Sequence, residues 1–119
     1  MNYIFTQAIF YFGFTFFILH EMDAIKRKEW RMFNIFSKQD DQLAYTVFSV
    51  LHLPLFFIIL MCMKMYRNNT MIILDIFFII HLILHMMFIK HKQNEFHSYY
   101  SWFLIIGMSL LGVLNLLML

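Results

Sequence analysis

Four apolar segments, at residues 3–20, 43–65, 71–90 and 99–118, decide what this chain can become. Each is close to the about 20 residues a helix needs to cross about 30 Å of hydrocarbon. Inside a bilayer every backbone N–H and C=O must find its partner within the structure, which makes these runs helices. Short polar stretches turn the chain back between them. The expected fold is all-α: an integral membrane four-helix up-down-up-down bundle with a short interfacial helix in the first loop. Residues 1–119 read as a single four-span membrane domain. Composition excludes a soluble fold, with 62% of residues hydrophobic and 13% charged, against about 45–50% and about 25% in soluble domains.

Orientation follows from lysine and arginine in the short loops. The first loop carries Lys26, Arg27, Lys28, Arg31 and Lys38, and the third carries Lys90 and Lys92. Only Lys64 and Arg67 lie in the second. Residues 20–42 and 90–98 are therefore expected in the cytoplasm and both termini outside. The net charge of +2 is too small to point to nucleic acid. The single cysteine, Cys62, rules out an internal disulfide and a thiolate zinc site. No Lys or Arg precedes the first apolar run and no small-residue cleavage site follows it, so it is expected to stay as a permanent helix.

The densest run of charge lies just after the first span, in Leu19-His20-Glu21-Met22-Asp23-Ala24-Ile25-Lys26-Arg27-Lys28-Glu29-Trp30-Arg31. As a helix, this stretch puts His20, Asp23, Arg27 and Trp30 on one face. Lys26 to Lys28 and the Trp30/Phe33 pair suit a segment at the headgroup interface. Ser37 to Asp41 reads as a turn and the cap of the second span. Pro54 removes a backbone donor within that span and frees the carbonyl near Val50. In the fourth span Ser109, Gly112 and Asn115 make a stripe of small and polar residues suited to close helix packing.

Six histidines are many for 119 residues, and their depth matters more than their number. His52 and His81 fall near the midplane of their spans, and His85 about one turn (~5 Å) nearer the cytoplasm. His20 ends the first span, and His97 opens the fourth. His81 and His85, at i and i+4, project from one face and can share a metal ion, with His52 and either His20 or Asp23 completing the ligand set. Ligands of nitrogen and oxygen suit zinc, iron or manganese. The candidate metal ligands are thus His20, Asp23, His52, His81 and His85, for a divalent metal, zinc or iron, with haem ranked below it. Glu21 and Asp23 are the candidate general bases.

Blander readings stand beside these. The histidines can form a hydrogen-bonded core that only holds helices together, with His52 on the carbonyl freed by Pro54. His91, between Lys90 and Lys92, reads as a loop residue. Asp75 reads as the structural partner of Asn115 or Arg67, and Glu29 as half of a solvated ion pair. The eleven methionines read as packing.

Leu19-His20-Glu21-Met22-Asp23-Ala24, Glu29-Trp30-Arg31, His52-Leu53-Pro54, Asp75, His81/His85 and Asn94-Glu95-Phe96 together resemble an uncharacterised bacterial family of small four-span membrane proteins. The resemblance covers nearly the whole chain. It implies the fold and a polar intramembrane site, but no activity; the expected location is the bacterial cytoplasmic membrane. His20 to Ala24 is loosely similar to the motif of small membrane proteins carrying His-x-x-Glu-Glu, from which it departs in having Asp23 at the third place after His20. Ser49, His52, Asp75 and His81/His85 echo the residue types of zinc-dependent intramembrane amide hydrolases. Those have seven spans, and the Ser49 to His52 spacing here is one residue short.

Two functions remain in play. One is a metal-dependent membrane protein whose site opens toward the inner leaflet and acts on a lipid-like substrate. The other is a non-enzymatic subunit, regulator or proton-coupled carrier with a structural histidine cluster. Whether the chain is an enzyme stays open. Membrane lipids are the expected partners, with a second copy or a larger membrane partner as further candidates.

Overall fold

The computed structural model describes residues 3–32 and 41–119. Four α-helices make up nearly all of it: α1 (Tyr3–Lys26), α2 (Asp41–Met65), α3 (Arg67–Met87) and α4 (Tyr99–Met118). A 3₁₀ turn, Glu29–Arg31, follows α1, and the described residues contain no strand. All four helices are long and apolar enough to cross a membrane. The expected short helix of the first loop takes two forms, an extension of α1 past His20 and the 3₁₀ turn. The expected turn and cap at Ser37 to Asp40, like Phe33, lie outside the described residues.

The bundle is not symmetric. α4 packs closely on both α1 and α3, whereas α2 lies at the edge, mostly against α3. Only Ala44 and Ile59 of α2 are buried. The reason is legible in the inner faces. Thr6, Phe10, Gly13, Phe17, His20 and Ala24 recur in α1 every three or four residues, and all are buried. Ser101, Ile105, Met108, Gly112 and Asn115 do the same in α4. This 3.5-residue repeat keeps one seam of each helix facing its neighbour along the bundle.

Small residues set the distance of closest approach. A Cβ added to Gly112 would lie 3.0 Å from the Asp75 carbonyl oxygen, so the α3 backbone rests directly on α4 there. Beside that contact Asn115 Nδ2 donates to Asp75 Oδ2 at 2.5 Å. The small-residue stripe and the Asp75–Asn115 pair thus join α3 to α4, as read from the sequence. The core between the helices is aromatic, centred on Phe10, Phe17, Phe78 and Met108.

Trp30 departs from its expected place at the headgroups. It is buried and packs its ring on Phe48 with centroids 5.3 Å apart. The chain turns sharply before it, at Lys28, whose backbone is left-handed (φ 54°, ψ 53°). That turn carries Glu29 and Trp30 inward instead of letting α1 run on along the interface.

Candidate metal centre

The seams of α1 and α3 place His20, His81 and His85 at the same level of the bundle. Their rings meet edge to face, His20 being 5.3 Å from His81 and 5.0 Å from His85, centroid to centroid. His20 is fully buried, and neither of its ring nitrogens has a hydrogen-bond partner. An unpaired buried polar atom costs roughly 1–3 kcal/mol. His20 has two.

Two carboxylates flank this ring. Glu29, delivered by the turn at Lys28, lies with Oε1 3.2 Å from His85 Nε2. Glu21, one position after His20, bonds His52 Nε2 through Oε2 and lies with Oε1 3.7 Å from His81 Nε2. Ligand atoms of His20, Glu29 and His85 come within 4.8 Å of one another, and so do those of His20, Glu21 and His81. Such His/Glu groups can hold a metal ion.

His81 makes the outer contact that a metal-binding imidazole uses. His81 Nδ1 donates to the Phe77 carbonyl at 3.1 Å, which leaves the Nε2 lone pair facing Glu21. Burial works to raise the Glu29 carboxyl. The His85 hydrogen bond and the His20, His85 and His81 rings outweigh it, holding the group below the ordinary carboxylate range as an anion. Phe96, fully buried, closes one side with its ring 4.5 Å from His85 and 6.0 Å from His20. Asn94 holds Phe96 in place, accepting from the Phe96 N–H (3.0 Å) and donating to the Ile89 carbonyl (3.1 Å).

The residues singled out from the sequence divide into three sets. His20, His81 and His85 come together, with Glu21 against them. His52 reaches the group only through Glu21. Its other nitrogen bonds the Phe48 carbonyl at 2.7 Å rather than the carbonyl freed by Pro54. A helical side chain leans back toward the preceding turn, and Val50 points outward. Asp23 turns to α4, where it accepts from Ser101 Oγ at 2.6 Å and lies 3.4 Å from Arg27 Nε. His97 is exposed and His91 is a loop residue, its Nδ1 accepting from the Gln93 N–H.

Glu29 is the residue of the cluster that sequence reasoning left out, having placed it in solvent. It is 6% exposed and faces three histidines, so it is no solvated partner of Arg31. Arg31 bonds Asp41 instead. The turn that redirects Glu29 rests on a lysine in a backbone region usually given to glycine, so no sequence signal marks it.

Glu21, Glu29, His52, His81 and His85 also line a cavity of about 260 Å³. Its remaining walls are Phe17, Phe48, Leu55, Phe77 and Leu84, so it lies between the loosely attached α2 and the other helices. The fold and cluster define a class: a multi-pass membrane protein of four helices with a buried His/Glu group suited to a cation. Within that class the chain belongs to DUF6713, a family of unknown function whose match spans residues 6–119. No curated protein and no solved structure matches the chain.

Proposed function

We propose that this protein binds a divalent metal in the membrane and uses it on a lipid-like substrate that enters the apolar cleft beside α2. The observation that carries this reading is His20, buried with both nitrogens unpaired between two Glu/His pairs. A polar group so placed is stabilised by a cation more readily than by any protein partner within reach. Three nitrogen and carboxylate ligands suit zinc or iron, and a thiolate is not needed.

The cleft supports the substrate class. Its walls are aromatic and aliphatic, and its floor is the His/Glu cluster. Its volume lies just under the range of about 300–1,000 Å³ usual for small-molecule sites. It therefore admits the reacting segment of a lipid while the rest of the molecule stays in the bilayer. A bound divalent ion polarises a carbonyl and lowers the pKa of its water. Glu21, held by His52 at the cleft, is the proton acceptor. Of the two carboxylates expected in that role, Asp23 is committed to Ser101 and Arg27. The excess of basic residues in the first and third loops supports a site facing the inner leaflet of a bacterial cytoplasmic membrane, with both termini outside.

One observation favours the second reading, a proton-coupled carrier or regulator. His52 faces an acceptor on each nitrogen, the Phe48 carbonyl and the Glu21 carboxylate, so the Glu21–His52 pair holds an extra proton.

The test is elemental analysis of detergent-purified protein, wild type against His85→Ala, with lipid products followed by mass spectrometry. Metal in the wild type that is lost in the variant, together with a metal-dependent change in lipid, is the expected result. Metal without any lipid turnover removes the enzyme. No metal in either protein leaves the proton-coupled reading.

A further inference from the structure

The two groups of ligands around His20 are distinct. Glu29 and His85 form one with it, Glu21 and His81 form the other, and the two meet only at His20. A single ion held in either group would engage one carboxylate and leave the other with its histidine alone. His20 in turn offers two buried nitrogens, neither bonded to protein. An imidazole carries its nitrogens on different edges of the ring, so one ion cannot satisfy both.

We propose that the cluster is a two-cation centre, with His20 as the shared ligand between the ions. Glu29 and His85 complete one site, Glu21 and His81 the other. This rests on the metal-binding reading above and specifies its stoichiometry. Each nitrogen of His20 takes one ion, and the ring gives up its remaining N–H proton to solvent as the second ion binds. Each site has one carboxylate and two imidazoles, and leaves coordination positions open. Glu21 binds through Oε1 while its Oε2 stays on His52, a carboxylate ligand steadied by an outer hydrogen bond. Glu21 is then a ligand and no longer the proton acceptor at the cleft. Both carboxylates line the cleft, so a carbonyl or phosphoryl oxygen entering there approaches the open positions of one ion or the other. The ligand chemistry is thus a pair of borderline divalent ions, and the substrate class an ester, amide or phosphoester of a lipid.

The experiment uses the full chain in detergent micelles, loaded with Zn²⁺ or Co²⁺, freed of excess ion and analysed for metal per chain. The wild type is expected to hold two equivalents, falling to one in Glu29→Gln and to one in Glu21→Gln. Both replacements keep the side-chain shape, and monodispersity with unchanged helicity shows that the fold survives them. A second readout needs no variant. Two Co²⁺ ions sharing one imidazole are magnetically coupled, so the spin signal per cobalt in the wild type should fall below that of Glu29→Gln. One equivalent in the wild type overturns the two-cation centre and leaves the metal reading standing. Zero equivalents overturn both. Two equivalents that are uncoupled, or that survive both replacements, place the ions elsewhere and overturn the assignment to His20.

Discussion

His20 and Asp23 lie three residues apart on α1 and part company completely in the folded chain. His20 sits in the seam toward α3, while Asp23 turns to α4 and accepts from Ser101. Losing a buried hydrogen bond to a charged group costs roughly 1.5–3 kcal/mol. Ser101→Ala should therefore lower stability by about that amount, read from denaturant unfolding in micelles, while bound zinc per chain stays unchanged. A drop in zinc would instead make Asp23 part of the metal centre. Asp75 shows the opposite kind of contact. Asn115 gives it Nδ2 but keeps a buried Oδ1 without a partner. An amide at position 75 can donate to that oxygen, so Asp75→Asn should cost less than about 1 kcal/mol. Greater loss of stability in the same unfolding measurement would show that the charge itself matters.

At the scale of elements, the site depends on the break between α1 and the 3₁₀ turn. Lys28 holds a left-handed backbone there, which for a residue with a Cβ is disfavoured by roughly 1–2 kcal/mol. Glycine pays no such penalty, though it loses more freedom on folding and gives up the half-exposed Lys28–Asp41 contact. Lys28→Gly should leave stability within about 1 kcal/mol of wild type or raise it, and keep full metal binding. Lys28→Val, β-branched, should destabilise by roughly 1–2 kcal/mol and weaken metal binding, because Glu29 is then no longer held against His85. Equal metal affinity in the two variants would show that the turn does not position the carboxylate. α2 belongs to this scale too. With its inner face shared among Phe48, His52, Phe56 and Ile59 and little of it buried, it is the helix most free to move, and the cleft lies along it.

For the molecule as a whole, seven basic residues in the first and third loops against two in the second fix the expected direction of insertion. Reporter fusions after Arg31 and at the C-terminus should give opposite signals, cytoplasmic for the first and external for the second. A cytoplasmic C-terminus would turn the molecule over and open the cleft to the outer leaflet.

Much of this architecture is written along the chain, because the bilayer leaves an apolar run of about 20 residues little choice but a helix. The helical repeat then brings His81 and His85 to one face, and the spacing of Gly112, Asn115 and Asp75 marks where α3 and α4 touch. These properties are local, or depend only on period. Which carboxylate meets which imidazole is not local. Glu21 and Asp23 lie one and three residues after His20, and the helical repeat favours Asp23 as its neighbour, yet the packing of α4 claims Asp23 through Ser101 and the cleft of α2 and α3 receives Glu21. Glu29 is drawn in by a left-handed lysine, a conformation that residue type alone does not announce. The tertiary structure made these choices because a buried charge goes where the assembled helices offer it a partner.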